Sequence, residues 1–382
     1  MTSSAAPTPT APDTSNLDNS RQTPSESSDA ISNCVLRNLF NILLHSRRGN
    51  HARKRVHEAA PTTPRDRLDA SLNDKPVDVG DLIQTGGSGH GLEKPKTYLY
   101  LAYGSNLCNE TFRDKRGIRP LSQINVVVPS LRLTFDLPGI PYQEPCFANT
   151  ALRDPNAPDN SVGAADYHKN RWHKGLVGCV YEVTESDYVH IIATEGAGSA
   201  YKDIVVTCYP LPDASTVPDI PLTPPFKAHT LFAASSSSSS GTAPRITRPD
   251  PSYAQPSPRY LHLITSGACE LALPAEYRAY LDDIRPYTIT STRQAIGQKM
   301  VMATWLPWIV LVFALQERFK DEKGRAPAWL AGLSGWIFWG VWRSYDDGFR
   351  RVFGEGERTE GVDEGGEETA GMAGKDVGWQ VV

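Results

Sequence analysis

Closely spaced cysteines are absent from this sequence of 382 residues. Its six cysteines lie far apart, with no Cys-x-x-Cys pair and no Cys/His spacing typical of a metal site. We therefore expect neither a zinc site nor a disulfide framework, and a reducing compartment suits such cysteines. An excess of charge is also absent, since 39 Lys and Arg residues are balanced by 43 Asp and Glu residues and the formal net charge is −4. This balance argues against nucleic acid as a partner and leaves small molecules as substrates.

Residues 1–96 lack the aromatic and aliphatic runs that a packed core needs. They are rich in Ser, Thr, Pro and charge, and such a composition buries too little apolar surface to offset the entropy lost on ordering. We therefore predict a disordered N-terminal arm over residues 1–96. The N-terminus also lacks the basic, apolar and small-residue order of a secretory signal, so we expect an intracellular protein.

From Thr97 onward the sequence contains the apolar and aromatic runs expected of a folded domain. Short β-branched and aromatic runs bounded by Pro, Gly, Asp or Asn predict strands over residues 98–102, 124–128, 131–135, 176–183, 204–209 and 260–264. Two helices are predicted, over residues 185–193 after a Thr184 cap and over residues 274–284. We therefore expect a mixed α/β (α+β) domain over residues 97–290. Its Pro- and Ser-rich residues 215–257 are predicted to form a disordered insertion.

Two apolar runs follow this domain, over residues 300–315 and 326–342, with a charged stretch between them. At about 1.5 Å per helical residue each run reaches roughly 25 Å, slightly less than a hydrocarbon core of about 30 Å. Six of the eight tryptophans lie in these runs, where indole rings suit a membrane interface. We predict a hydrophobic (transmembrane) hairpin over residues 298–345 that contacts membrane lipid through residues 300–342. A buried helical pair and an interfacial helix are the alternatives, and a disordered tail is predicted over residues 346–382.

Three motifs in the predicted domain are candidates for chemistry. The loop 103–107, Tyr-Gly-Ser-Asn-Leu, follows the first strand, and amides in such a turn suit a carboxylate ligand. Glu195 and Gly196 follow the helix predicted over residues 185–193, with Tyr201 six residues beyond Glu195. A Pro-Ser-Pro-Arg-Tyr segment ends at Tyr260. Taken singly, the motifs also fit a capped turn, a solvated glutamate and a core aromatic residue.

Together and in this order, the three motifs resemble those of the γ-glutamylcyclotransferase family. The resemblance implies a small mixed β-barrel with flanking helices over this region. It also implies that Glu195 is the general acid and base and that Tyr260 contacts the substrate. The strand and loop that cradle the substrate are then Tyr100, Leu101, Ala102, Tyr103, Gly104, Ser105 and Asn106, with Leu107 and Tyr201 as pocket neighbours.

The implied reaction is an intramolecular cyclisation. The α-amine of a γ-glutamyl amino acid or peptide attacks its own γ-carbonyl, so that 5-oxoproline forms and an amine leaves. Glu195 takes a proton from the attacking amine and returns it to the leaving nitrogen. Neither a cofactor nor a metal is expected, and Cys108 beside the loop is interpreted as a bystander.

Other readings of the chain stay open. One is a specialised cyclotransferase that acts on glutathione adducts in secondary metabolism. Two are non-enzymatic: a membrane-anchored module that binds γ-glutamyl groups, and a membrane-tethered scaffold. We expect an intracellular, membrane-associated protein with a cytosolic catalytic domain, and the residues carry no signal for the leaving group or the oligomeric state.

Overall fold

The computed structural model describes residues 57–78, 96–155, 167–194, 202–213, 215–232, 248–250, 252–319 and 327–360. The strands in these ranges are β1 (Thr97–Ala102), β2 (Ser122–Val128), β3 (Leu131–Ile140), β4 (Glu144–Leu152), β5 (Leu176–Thr184), β6 (Lys202–Pro210) and β7 (Phe226–Phe232). The α-helices are α1 (Arg65–Ala70), α2 (Glu185–Thr194), α3 (Pro258–Glu270), α4 (Ala275–Asp283), α5 (Thr292–Phe319), α6 (Ala328–Ser344) and α7 (Arg350–Phe353). Two 3₁₀ turns, Ser71–Asn73 and Ser105–Leu107, and two π-helical turns, Glu110–Lys115 and Tyr345–Phe349, connect them.

A closed barrel of five strands in the order β1-β5-β2-β6-β7 forms the centre of the domain. It closes because β1 pairs with β5 antiparallel on one side and with β7 in parallel on the other. After Thr97, β1 is buried along its whole length, and this explains why its sequence is apolar and aromatic without alternation. β3 and β4 pair with each other in a second sheet. The expected α+β class with a small barrel and flanking helices is confirmed.

Helix α2 covers one wall of the barrel and starts beside the start of β1. The Glu185 amide donates to the Lys96 carbonyl at 3.2 Å, and the Tyr188 ring stacks on Tyr98 with centroids 4.7 Å apart. Helices α3 and α4 contribute further buried side chains to the same core. The barrel interior and these three helices therefore share one hydrophobic core.

The strand predicted over residues 260–264 is wrong, because these residues lie in α3. Ser257 is the N-cap, since its hydroxyl oxygen accepts from the Tyr260 amide at 3.1 Å, and Pro258 occupies the first helical position. Over five residues an apolar run fits a strand as well as a helix, and only the longer α3 shows buried residues at helical spacing. The other five predicted strands and both predicted helices are present, whereas β4 was not predicted.

Ordered elements also lie in the three stretches predicted as disordered. β7 lies inside residues 215–257 and closes the barrel, although Pro and Ser flank it on both sides. α1 lies inside residues 1–96, with Leu68 buried against the core. Residues 346–360 contain α7 and a buried Glu357, whose carboxylate pairs with Arg248 from the predicted insertion. A composition rich in charge predicts solvated side chains, whereas Arg248 and Glu357 form an ion pair with each other.

The C-terminal helices α5 and α6 pack side by side and rest on the turn between β3 and β4. Trp305 donates from its indole nitrogen to the Ser344 hydroxyl at 2.9 Å, and Trp342 donates to the Gly139 carbonyl at 3.1 Å. An apolar cluster at this junction consists of Tyr142, Val301, Trp342 and Tyr345. Within the described residues, one helix stretch, Thr292–Gln316, is long and apolar enough to cross a membrane by length and composition.

Replacing Gly267 by alanine should destabilise the protein. A Cβ at this position of α3 would lie 2.4 Å from the Leu107 carbonyl carbon, so we expect a loss of about 1–3 kcal/mol from overpacking although alanine favours helices. The measurement is urea unfolding of Gly267→Ala. As a control, Gly348→Ala adds a Cβ with no atom within 4 Å and should be neutral or slightly stabilising. Equal midpoints for the two variants would contradict the close packing of α3.

Candidate active site

A pocket opens at the end of the barrel where β1 and β7 finish and β6 begins. These three ends meet because β7 runs parallel to β1 and antiparallel to β6. The pocket, together with the open space at its mouth, encloses about 370 Å³. Its lining residues are Tyr100, Tyr103, Gly104, Ser105, Asn106, Ala148, Leu231 and Tyr260.

The loop after β1 supplies half of this lining, and its shape is fixed by backbone bonds. The Leu107 amide donates to the Gly104 carbonyl at 3.0 Å, and the Cys108 amide donates to the Ser105 carbonyl at 3.2 Å. These two bonds form the 3₁₀ turn Ser105–Leu107 directly at the strand end. The first amides of such a helical turn have no acceptor within the turn, and the residues that carry them line the pocket.

Side chains of the loop are anchored to the barrel. The Asn106 amide nitrogen donates to the Tyr100 hydroxyl at 2.9 Å, and the Asn106 side chain is buried. The Tyr103 hydroxyl donates to the Leu231 carbonyl at 3.5 Å, which ties the loop to the end of β7. The tyrosines and the asparagine thus hold the loop against β1 and β7 while their polar atoms border the pocket.

Tyr260 approaches from the other side, on the first turn of α3. Its hydroxyl oxygen accepts from the Ala148 amide at 3.1 Å, and its ring packs edge-on against Phe147 with centroids 5.0 Å apart. A Cβ on Gly104 would lie 3.4 Å from the Tyr260 hydroxyl. The tyrosine hydroxyl is therefore held between β4 and the loop, at the side of the pocket opposite β7.

Cys108 lies beside the loop and is buried. Burial raises the pKa of its thiol, and the nearby Glu270 carboxylate shifts the pKa in the same direction. At neutral pH the group is therefore a protonated thiol, which is a poor nucleophile. This favours the interpretation of Cys108 as a bystander.

The structure brings together most of the residues that the sequence singled out. Around the pocket lie Tyr100, Tyr103, Gly104, Ser105, Asn106 and Tyr260. Leu101, Ala102 and Leu107 are fully buried in the core behind the lining. Glu195 and Tyr201 lie outside the described residues, so their roles stay predictions.

Two lining residues were not predicted. Ala148 and Leu231 come from β4 and β7, strands that the sequence analysis did not find. A signal for β7 existed in the alternation of residues 226–232, in which Phe226, Ala228 and Thr230 share one face. β4 has no comparable alternation, since it is buried on both faces over most of its length.

The chain is similar to known proteins over most of its length. It is 28% identical over 275 residues, 69% of this chain and 92% of the relative, to "Gamma-glutamyl cyclotransferase aclK" of Aspergillus oryzae. It is 31% identical over 261 residues, 68% of this chain and 88% of the relative, to "Gamma-glutamyl cyclotransferase gliK" of Aspergillus fumigatus. A family model described as the AclK C-terminal domain matches residues 291–352. A solved structure named "Gamma-glutamyl cyclotransferase" covers 54% of this chain and 99% of its own, at 19% identity and a TM-score of 0.35.

Replacing Tyr100 by phenylalanine should weaken the fold at the pocket. The change removes the acceptor of the buried Asn106 amide, so we expect a loss of about 1–2 kcal/mol in unfolding free energy. The measurement is urea unfolding of Tyr100→Phe against the wild type. The control is Tyr209→Phe on β6, because the Tyr209 hydroxyl has no hydrogen bond to any residue that the structure describes. A loss no larger than that of the control would show that the bond to Asn106 contributes nothing.

Proposed function

The chain belongs to the γ-glutamyl cyclotransferase family, and we propose that its reaction takes place in the pocket at the end of the barrel. The enzyme converts the γ-glutamyl group of a small molecule into 5-oxoproline and releases an amine. One observation carries the choice of site. Residues 103–106 of the loop and Tyr260, which are far apart in sequence and belong to motifs singled out in the sequence, line the same pocket.

The substrate brings its own nucleophile to this reaction. Its α-amine and γ-carbonyl lie within one residue, so closing the five-membered ring needs a favourable conformer rather than a second reactant. What the protein has to add is a grip on the glutamyl group, hydrogen-bond donors for the oxyanion and a group that moves one proton. A metal or a nucleotide is not needed for any of these steps.

The grip on the glutamyl group is assigned to the loop and to the tyrosines. No side chain among the described lining residues carries a formal charge, so a substrate carboxylate there has to be held by dipoles. The amides of Gly104 and Ser105 suit this task, because amides at the start of a helical turn point away from it toward a ligand. The Tyr260 hydroxyl is a further donor at the opposite side.

The proton transfer is assigned to Glu195. The described lining residues include no carboxylate and no imidazole, so the base has to come from another part of the chain. Residues 195–201 connect α2 to β6, and β6 starts beside the pocket because Asp203 pairs with Leu231. The Tyr188 hydroxyl of α2 also donates to the Asp203 carboxylate at 2.7 Å, which holds the two flanking elements together. This arrangement supports a place for Glu195 at the pocket.

The surface of α5 and α6 supports a second part of the proposal, that these helices enter a membrane. Their facing sides bury Ile309, Val312 and Leu330, whereas their outer sides expose large apolar side chains. Trp308 is 53% and Trp336 is 54% exposed. Trp342, which packs on the β3–β4 turn, is only 3% exposed. Exposed indole rings on helices whose other end packs on the domain are typical of helices that contact lipid.

Replacing Glu195 by glutamine should abolish turnover and leave the fold unchanged, because the amide cannot shuttle the proton. The measurement is 5-oxoproline release by the full chain from γ-glutamyl-alanine, γ-glutamyl-ε-lysine, glutathione and a glutathione S-conjugate. We expect a fall of about 100-fold or more in kcat.

The control for this variant is Glu110→Gln, which changes an exposed glutamate that pairs with Lys115 at the surface and should keep full activity. Full activity of Glu195→Gln would refute the assignment of the base. No release by the folded wild type from any of the four substrates would refute the cyclotransferase proposal for this pocket.

The full chain should bind phosphatidylcholine vesicles through its C-terminal helices. Flotation on a sucrose gradient is the measurement, and the double variant Trp308→Ser, Trp336→Ser should bind less because two exposed indoles are lost. Leu222→Ser removes an even more exposed apolar side chain outside the helices and should float like the wild type. Protein that forms a stable dimer in buffer and ignores the vesicles would identify a second copy, rather than lipid, as the partner of this surface.

A further inference from the structure

The buried carboxylate of Glu144 lies on β4, four residues before Ala148. Ala148 lines the pocket and Glu144 does not. Glu144 is the first residue of β4 and is 3% exposed. Both of its oxygens are bonded to the first turn of α3: Oε2 accepts from the Ser257 hydroxyl at 2.7 Å, and Oε1 accepts from Arg259 Nε at 2.6 Å. Neither bond is explained by the sequence motif, which contains Ser257 and Tyr260 but not Glu144.

Ser257 links Glu144 to Tyr260 by two hydrogen bonds. Its hydroxyl donates its proton to Glu144 and at the same time accepts from the Tyr260 amide as the N-cap of α3. A serine hydroxyl has one proton to give, so bonding to Glu144 leaves its lone pairs directed at the helix amide. The carboxylate therefore fixes the rotamer of the cap and, through the cap, the backbone of Tyr260.

The Tyr260 side chain returns to the same strand. Its hydroxyl accepts from the Ala148 amide, four residues after Glu144 on β4. β4 and the first turn of α3 are thus joined at two points, about 13 Å apart for a strand that rises roughly 3.3 Å per residue. With one point released, the helix start can shift while the other bond acts as a pivot. Both are needed to hold the tyrosine hydroxyl at its place beside Gly104.

We propose that Glu144 is a positioning residue of the cyclotransferase reaction, which fixes the Tyr260 hydroxyl against the substrate through Ser257. This inference rests on the proposed function. It differs from a purely structural role for a buried ion pair, because a structural pair affects the folding free energy without a specific effect on one step of the reaction.

The test is a set of variants of the full chain assayed by 5-oxoproline release. Glu144→Ala should lower kcat/KM about 10- to 100-fold, the loss expected for a reacting geometry displaced by about 1 Å. Tyr260→Phe should show the same division of the loss between kcat and KM. The double variant should be no less active than the less active single variant, because both changes act on the substrate through the same tyrosine hydroxyl. Glu144→Gln keeps an acceptor for Ser257 and should recover most of the activity.

A matched control separates positioning from stability. Glu182 on β5 is also a largely buried carboxylate, bonded to Arg67, Thr97 and Ser122 near the opposite end of β1. Glu182→Ala should lose a similar amount of stability and keep its kcat/KM. Ser257→Ala tests the same link should Glu144→Ala fail to fold.

A second readout does not depend on turnover. Hydrogen exchange of the Ala148 amide should accelerate in Glu144→Ala and in Tyr260→Phe and stay slow in Glu182→Ala. Additive losses in the double variant, or slow Ala148 exchange in Glu144→Ala, would overturn the positioning role while leaving the proposed function intact. A wild type that releases no 5-oxoproline would instead overturn the proposed function, and the catalytic part of this inference with it.

Discussion

The close approach of α3 to the loop after β1 is the constraint on which the pocket depends. Gly267 makes it possible, because any side chain at this position would collide with the backbone of Leu107 and Cys108. At the end of the helix, the Asn109 amide donates to the Glu270 carboxylate at 2.9 Å, so the loop is held along the helix and not only at one contact. A helix seated further out would leave the Tyr260 hydroxyl away from Ala148 and would open the loop to solvent. The Tyr-Gly-Ser-Asn-Leu turn is therefore only half of the site, and the helix that packs on it is the other half.

The β3–β4 hairpin joins this pocket to the C-terminal helices. Its second strand supplies Ala148 to the lining and Glu144 to the first turn of α3. Its turn supports the helices, since Trp342 donates to the Gly139 carbonyl and Gln298 donates to the Tyr142 carbonyl at 2.9 Å. Pocket wall and helix base are thus parts of one short sheet. Changes at the turn are consequently expected to affect both the seat of α5 and α6 and the wall of the pocket.

The sequence predicts those parts of the fold whose residues form a continuous apolar run bounded by turn residues. β1 is buried on both faces and ends in a turn, so its apolar run and the following loop can be predicted without knowledge of the neighbouring strands. β4 is buried on both faces over most of its length and lacks alternation, whereas the alternation in β7 is outweighed by the Pro and Ser residues around it in any window of composition. Arg248 and Glu357 lie in stretches predicted as disordered, because a composition cannot show that the two charges neutralise each other. The same limit hid Ala148 and Leu231 from the predicted site, while Tyr260 was found as a site residue although its element was taken for a strand.

Among the described residues, the pocket lining carries no charged side chain, which suits the proposed reaction because its substrate supplies the nucleophile. Under the proposed function, tyrosine hydroxyls and loop amides recognise the glutamyl half through dipoles, and dipoles held in a fixed frame stabilise developing charge without reorganising. In the proposed chemistry the one ionisable group required is a proton carrier, and the proposal assigns this role to Glu195. These requirements concern the glutamyl half of the substrate and do not specify the leaving amine. Its identity then depends on what can reach the pocket mouth, which is bordered on one side by β4 of the hairpin that also supports α5 and α6.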